Sequence, residues 1–500
     1  MRILTRYPDS FCDKILFEMR SFVTLTFLAL SSFASAEAKP NILFILIDDF
    51  GWMDVGYNGS TFYETPRIDA FAEEWMRFDA CYTPSPMCSP TRLSILTGKN
   101  PARHGVTQWL PGRDSENPRY VRQGEEPRVF CPRPQSAGIE ESEAALGEAF
   151  REAGYDTAFY GKWHMGGLKA TGGPRNHGYD SEVAIIESNR CSMFYPFKNP
   201  NYFPKAKEGD NFTDLLTDAA IDFISKERNR PFYLHLCHFA MHSPIESKEE
   251  LREHFEAKAE SLPQMAEVGI LDDYAHEPQK LRQDDAEYAG ELATLDANVG
   301  RVVDALKASG LYDNTIIILT GDNGGRTSWF QDHPTSNQPL RTGKTFLFEG
   351  GLLTPLLIHW PRHSQRGVRT SVPVTSMDFY PTLLDMVGLE PKPHQHLDGV
   401  SLVPLFEGGE IPERDLIWHF PHYQGEGSYP ASAIRRGDFK LIHNYHHDAL
   451  LLYDIATDPA EVADLAEAMP LLVKKMDNAL KRFLSDCEAT IPTAIEEGRD

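Results

Sequence analysis

The sequence predicts an α/β fold: a large, mostly parallel sheet flanked by helices, followed by a small C-terminal antiparallel sheet carrying one packed helix. Three observations predict it. Short, continuous apolar runs recur along most of the chain, each bounded by Gly, Pro or Asp, which is the pattern of strands buried on both faces. Helical segments lie between those runs, giving a β–α alternation. Beyond about residue 405 the texture changes to short strands split by polar turns and then to an amphipathic helix.

In chain order, NILFILI (41–47) is the first predicted strand and runs into Asp48-Asp49. A helix over EAALGEAFREAG (143–154) precedes TAFYG (157–161), which leads to Lys162 and His164. A second helix, TDLLTDAAIDFISK (213–226), precedes PFYLHLCHFA (231–240), which is followed by His242. TIIILT (315–320) ends on Gly321-Asp322-Asn323. GGEIPERD (408–415) reads as a connector. In SAIRRGDFKLIHNYHHDALLLYDI (432–455), the turns Arg436-Gly437-Asp438 and His446-His447-Asp448 separate short strands. Leu472, Val473, Met476, Leu480, Phe483 and Leu484 then form a helical stripe. Two polar, Gly- and Pro-rich segments, 111–140 and 165–212, are long for connectors and read as rim loops.

Of 500 residues, 41% are apolar and 24% charged, which excludes disordered and fibrous classes. Arg20, the apolar run SFVTLTFLALSSF and Ala34-Ser35-Ala36 match a signal peptide cleaved before Glu37, and Met19 offers an alternative start. The expected organisation is a leader and upstream extension over 1–36, a catalytic α/β domain over 37–405 and an α+β subdomain over 406–500. An exported protein, periplasmic or secreted and without stable membrane insertion, follows from that leader, because no run approaches the roughly 20 apolar residues of a membrane span. Net charge is −24; residues 1–36 carry four Lys or Arg against three Asp or Glu, so the remainder is −25. Nucleic acid is therefore excluded as a partner, and an anionic substrate needs a local cationic cluster or a metal. Apart from Cys12, the six cysteines show no CxxC spacing, which argues against a zinc framework, and they are too sparse for a disulfide scaffold.

Ligands of open α/β sheets bind outside the carboxyl ends of the strands, so the polar endings should converge on one rim. Asp48, Asp49, Asp322 and Asn323 are oxygen donors at two such ends, a set suited to a hard divalent cation, calcium ahead of magnesium, and not to zinc. Any one of them alone also fits a helix cap or turn. Arg92, Lys162 and Lys344 are candidate anion holders, and His164 and His242 candidate acid–base groups. Cys88, in CSPTRLSILTG (88–98), is open on residue type alone: disulfide half, metal ligand, nucleophile or chemically altered residue. Trp109 in TQWLPG, and Trp418, His419, His422 and Tyr423 in WHFPHY, are candidates to line a sugar pocket, or equally to pack in a core.

At these motifs the chain resembles the formylglycine-dependent sulfatases, the arylsulfatase-like branch of the alkaline phosphatase superfamily. Two signatures carry the resemblance: Cys88-Ser89-Pro90-Thr91-Arg92 with Thr97-Gly98, and Gly161-Lys162-Trp163-His164-Met165-Gly166. It extends over roughly 39–460 through LIDDFGWMDVG, HGYD (177–180), GDNGG (321–325), LRTGKTFLFEGG (340–351), DGVSLVPL (398–405) and LYDIATDPAE. Thr91 stands where Ser is commoner, and FAMHSP departs from the usual surroundings of His242, leaving His238 as a competitor.

The resemblance implies an alkaline phosphatase-like fold and hydrolysis of sulfate monoesters. It implies that a formylglycine-generating enzyme converts Cys88 to formylglycine (3-oxoalanine), whose hydrate is the nucleophile. A hydrate that has accepted the sulfuryl group keeps a second hydroxyl, so deprotonation expels sulfate by C–O cleavage without a second attack at a crowded, anionic sulfur. By the same resemblance Asp48, Asp49, Asp322 and Asn323, with the modified Cys88, hold calcium. Arg92 and Lys162 stabilise the alkoxide, Lys344 binds sulfate, His242 protonates the leaving alcohol and His164 takes the proton of the second hydroxyl. The expected function is an exported sulfatase acting on a carbohydrate O-sulfate. The alternatives are a phosphodiester or phosphonate ester hydrolase of the same superfamily and a noncatalytic, calcium-stabilised glycan-binding protein.

Overall fold

The computed structural model describes residues 39–110, 125–133, 138–140, 143–166, 173–187, 191–263, 268–269, 274–328, 334–364 and 366–495. The leader expected over 1–36, and parts of the two long segments, lie outside the described residues. One compact unit spans Pro40–Asp500.

The main sheet has eight strands: β1 (Asn41–Ile47), β2 (Met76–Phe78), β3 (Asp156–Lys162), β4 (Ser181–Ile186), β5 (Phe232–His238), β6 (Thr315–Gly321), β7 (Leu356–His359) and β8 (Arg369–Thr370). Their order is β8-β2-β7-β6-β1-β5-β3-β4. β6, β1, β5, β3 and β4 are mutually parallel, and β7 is antiparallel to both its neighbours. The four apolar runs read from the sequence are thus the four consecutive central strands β6-β1-β5-β3. Every residue of β1, β5 and β6 is buried, which is why apolar residues predominate in all three. Parallel pairing of these four puts all their carboxyl ends on one edge.

Helices cover both faces: α1 (Pro66–Glu74), α2 (Cys88–Thr97), α3 (Leu146–Glu152), α4 (Phe212–Ile224) and α5 (Ala286–Ala308). α3 and α4 fall where the sequence predicts them. The 23-residue α5 does not announce itself, because it is packed on several sides and shows little amphipathic stripe. A second departure is β4, which lies inside the segment expected to be a rim loop. As the edge strand of the sheet it is only half-buried and carries no long apolar run.

The C-terminal sheet runs β9 (Leu416–Phe420), β10 (Ala431–Arg436), β11 (Phe439–Asn444) and β12 (Ala449–Asp454), all antiparallel, with α6 (Pro470–Asp486) packed through Val473, Met476, Leu480 and Leu484. Both predicted turns join strands as expected. Polar ties bind this sheet to the rest of the chain. The Trp418 indole N–H donates to the Thr83 carbonyl at 2.8 Å, and the Asn100 amide to the Ile417 carbonyl at 2.8 Å. At the centre of the contact the Lys440 ammonium is buried between Glu349 (2.8 Å) and Glu461 (2.6 Å).

Candidate active site

The carboxyl edge of the central strands gathers the predicted oxygen donors. Asp48 and Asp49 follow β1, Asp322 and Asn323 follow β6, and all four are fully buried. Ligand atoms of Asp48, Asp322 and Cys88 lie within 4.8 Å of one another. The Asn323 amide N–H donates to Asp49 Oδ1 at 2.9 Å and to the Gly324 carbonyl at 3.0 Å, which leaves its carbonyl oxygen facing elsewhere. Asp48 Oδ1, Asp49 Oδ2 and Asn323 Oδ1 are buried oxygens with no hydrogen-bond donor. Buried acceptors are normally satisfied, so three orphaned oxygens beside a thiol and a third carboxylate, that of Asp322, form a cradle that fits a hard divalent cation. Burial, with the charge of Asp48, pushes the Asp322 carboxyl up to about 6 against the pull of Arg92.

Cys88 is the first residue of α2, a helix whose ten residues are all buried. Three cations converge around it. The Arg92 guanidinium donates to Asp322 Oδ2 at 2.7 Å and to the Lys162 carbonyl at 2.6 Å, so it fastens the end of β3 to the end of β6. The Lys162 ammonium is paired with Asp48, and the Lys344 ammonium lies 2.5 Å from Asp49 Oδ1. Burial opposes ionisation of Asp49, but Lys344, His242 and Lys162 hold its carboxyl well below the usual range. Burial pushes the Cys88 thiol up despite Lys162 and Lys344, so an unmodified cysteine here is a neutral thiol and a poor nucleophile.

His164 has one nitrogen committed. Its Nε2 meets the Leu110 carbonyl at 2.7 Å, an acceptor only, so Nε2 carries the proton and Nδ1 presents its lone pair 3.2 Å from Cys88 Sγ. Burial, Lys162 and Arg92 hold His164 well below its ordinary value, which keeps it neutral and able to accept a proton. His242 Nδ1 likewise donates to the Ser243 carbonyl at 2.9 Å, so in the neutral ring Nε2 carries the lone pair. Burial, Lys162 and Lys344 lower it as well, against the pull of Asp49. His238, its competitor, is lowered to about 4 by burial alone and stands outside that field of charges.

The backbone around this cluster is held in unusual conformations. Asp49, His164, Met241, Thr342 and Thr345 all have left-handed φ between 53° and 78°, and each is a proposed site residue or lies within two positions of one. Such positions persist only where surrounding packing imposes them, and they gather at functional sites. Gly161 has φ 96°, and a Cβ there would come within 1.9 Å of the Cys237 carbonyl oxygen. Only glycine fits, and the register irregularity between Tyr160 and Lys162 turns the lysine toward Asp48.

The candidate substrate residues are placed differently. Both nitrogens of His419 are engaged, by Ser432 Oγ at 2.7 Å and the Thr490 carbonyl at 3.2 Å. His422 Nε2 pairs with Thr107 Oγ1 at 2.8 Å, and Trp418 is a core residue of the C-terminal sheet. Trp109 is half-buried against the same cluster. The loop between β9 and β10 also carries Glu426, a buried acid whose Oε2 has no hydrogen-bond donor. Arg326 donates to Ser243 Oγ beside His242. Neither Glu426 nor Arg326 was singled out in the sequence, because each is an isolated charge in a polar loop.

Comparison with known proteins shows the family of the chain. A family model described as Sulfatase matches residues 40–389, and one described as N-sulphoglucosamine sulphohydrolase, C-terminal, matches 342–489. The chain is 30% identical to mouse N-acetylgalactosamine-6-sulfatase over 408 residues, covering 77% of this chain and 70% of that one. It is 29% identical to a sulfatase of Formosa agariphila, covering 92% and 91%. The solved structure of Ps i-CgsB in complex with k-i-k-neocarrahexaose superposes with a TM-score of 0.72 at 28% identity, covering 89% and 93%. The family model alone takes in most of the chain, the central strands and the buried rim included: this protein belongs to the sulfatase family and is a sulfuric ester hydrolase of alkaline phosphatase-like fold.

Proposed function

We propose that the protein is an exported sulfatase that removes O-sulfate from a carbohydrate, using a formylglycine hydrate at position 88 and a divalent cation, calcium ahead of magnesium. The observation that carries this is the convergence of Cys88 with three cations, two neutral imidazoles and three donor-free oxygens at one rim. Residues 37–405 supply the chemistry in this reading, and 406–500 form the α+β subdomain tied to them through Trp418 and Ile417.

Asp48, Asp49, Asp322, Asn323 and the modified residue 88 would hold the cation, which when bound supplies a Lewis acid for a sulfate oxygen and a template for the nucleophile. The residues of the chain do the rest. Lys162 and Lys344 provide fixed positive charge where the tetrahedral anion sits, in a buried setting where such charge acts most strongly. His242, with Nδ1 anchored on Ser243, presents Nε2 to the leaving alcohol as proton donor. His164, with Nε2 anchored on Leu110, presents Nδ1 to residue 88 as proton acceptor. Arg92 holds Asp322 and the Lys162 backbone in place, beside the alkoxide-stabilising role the resemblance implies for it.

The carbohydrate part is supported by the relatives, one named for N-acetylgalactosamine 6-sulfate and one solved with a neocarrahexaose. The test is desulfation of defined sulfated mono- and disaccharides beside an aryl sulfate; if aryl esters alone react, the carbohydrate reading fails. Stripping divalent ions is expected to lower turnover by about 100-fold or more. Adding calcium back should restore activity and raise the melting temperature in a concentration-dependent way, as binding to the folded state alone requires. A melting curve insensitive to calcium and magnesium would remove the cation from the proposal.

A further inference from the structure

His242 stands on the loop that follows β5, and the residue before it, Met241, has φ 78°. A left-handed conformation in a residue with a side chain persists only where its surroundings impose it. The bonds inside the loop do not anchor it: the His242 N–H donates to the Phe239 carbonyl at 3.1 Å, and Nδ1 donates to the adjoining Ser243 carbonyl. The anchor is α5, whose first two turns carry Glu287, Gly290 and Glu291, at the spacing that shares one helix face.

Glu287 Oε2 accepts from both the N–H and the hydroxyl of Ser247, each at 2.8 Å. Glu291 Oε2 accepts from the Glu246 N–H at 3.3 Å, and Glu246 Oε2 in turn accepts from the Met193 N–H at 2.9 Å. Between the two acids, a Cβ at Gly290 would lie 2.7 Å from Ser247 Cβ. Glycine weakens a helix interior, but here it is what lets helix and loop touch. Glu291 is 2% exposed. Burial, with the charges of Glu246 and Glu287, holds its carboxyl well above the ordinary value, against the Glu246 and Met241 N–H groups that face it. It grips the loop as a neutral acceptor.

We propose that the first two turns of α5 set the position of His242, with Glu291 and Glu287 as positioning residues for protonation of the leaving alcohol. This rests on the reading of His242 as that proton donor and goes beyond it by naming what holds the imidazole in place. The demand is strict, since a displacement of about 1 Å in a reacting group costs about 100-fold in rate.

The test is a double-mutant cycle with phenyl sulfate and methyl β-galactoside 6-sulfate, whose alcohols leave poorly without a proton. Glu291→Leu is expected to lower kcat by about 10- to 100-fold while KM changes by less than about 2-fold. Glu291→Gln keeps a neutral acceptor and should recover turnover to within about 3-fold of wild type. In His242→Ala, itself slower by about 100-fold or more, adding Glu291→Leu should cost less than about 2-fold, because nothing is left to position. Glu287→Ala, at a half-buried position, should repeat the pattern with a loss of about 3- to 10-fold, and it decides if Glu291→Leu folds poorly. Equal losses in both backgrounds, or a loss carried by KM, overturn the inference and leave His242 as the acid. A His242→Ala enzyme within about 3-fold of wild type on both esters removes the acid itself, and the inference with it.

Discussion

Cys88→Ala is expected to lower kcat/KM for any sulfate ester by at least about 10⁴-fold, the scale seen when a nucleophile that acts as part of a unit is removed. Folding should survive, because the side chain is small and its one polar contact is to His164 at 3.2 Å. A sharper version is Cys88→Ser. Serine keeps a polar atom toward His164 but carries one hydroxyl, so a sulfated serine has no internal route to expel sulfate. The expected result is at most one equivalent of released alcohol per active site and no steady turnover; sustained turnover by Cys88→Ser would refute the hydrate mechanism. Mass spectrometry of the peptide spanning residue 88 supplies the chemical counterpart, since formylglycine is about 18 Da lighter than cysteine. An unmodified thiol in active protein from the native host would be equally damaging, because burial keeps that thiol neutral among its cations.

Lys440→Met is expected to be the most destabilising single substitution outside the site, by about 3–5 kcal/mol, the cost of removing one partner from a buried ion network. Lys440 on β11 is the cation between Glu349 and Glu461, and the side chains of all three are almost completely buried. The remaining bonds lock both acids in place: Tyr82 donates to Glu349 Oε2 at 2.6 Å and the Glu349 N–H to Glu461 Oε2 at 2.6 Å. Without Lys440 two carboxylates are left together in a dry interface. The pH dependence follows in sign. Burial, with the charge of Glu349, pushes Glu461 up to about 7 against the pull of Lys440. A carboxyl raised in the folded state costs stability as pH rises from its unfolded value toward the folded one. Removing Lys440 raises it further, so the deficit of the variant should grow between about pH 6 and about pH 8. Denaturant melts at those two values decide; a deficit independent of pH would mean that packing, not charge, is what Lys440 contributes. Because Glu349 heads the segment that follows Lys344, partial loosening should also be felt as a loss of activity before global unfolding.

Much of the site was legible before any fold was known, and particular residues show why. Asp48-Asp49 and Asp322-Asn323 stand directly after apolar runs long and uniform enough to be central parallel strands, and parallel strands put their ends on one edge. Lys162 was conspicuous because a cation between Gly161 and Trp163 at a strand end is out of place on a surface. His419 and His422 attracted attention for the opposite reason: an aromatic and histidine-rich stretch resembles a sugar platform. In the fold LIWHF is β9, its Trp418 is core, and both nitrogens of His419 have partners. A period-2 strand buried on both faces and a binding platform use the same residue types, so composition could not separate them. β4 was hidden for a related reason, since an edge strand needs no continuous apolar run.

The sequence by itself determined the four central strands, the C-terminal sheet with its helix, the residue types available at the rim and the family, because apolar runs and short spaced motifs are local and survive without coordinates. The tertiary structure alone decided which nitrogen of His164 and His242 is committed to a backbone carbonyl, that Arg92 ties the Asp322 carboxylate to the β3 backbone, and that both nitrogens of His419 are engaged. Those facts depend on contacts between residues tens to hundreds of positions apart, made in a buried setting where one hydrogen bond fixes a proton and one unpaired oxygen marks where a ligand belongs.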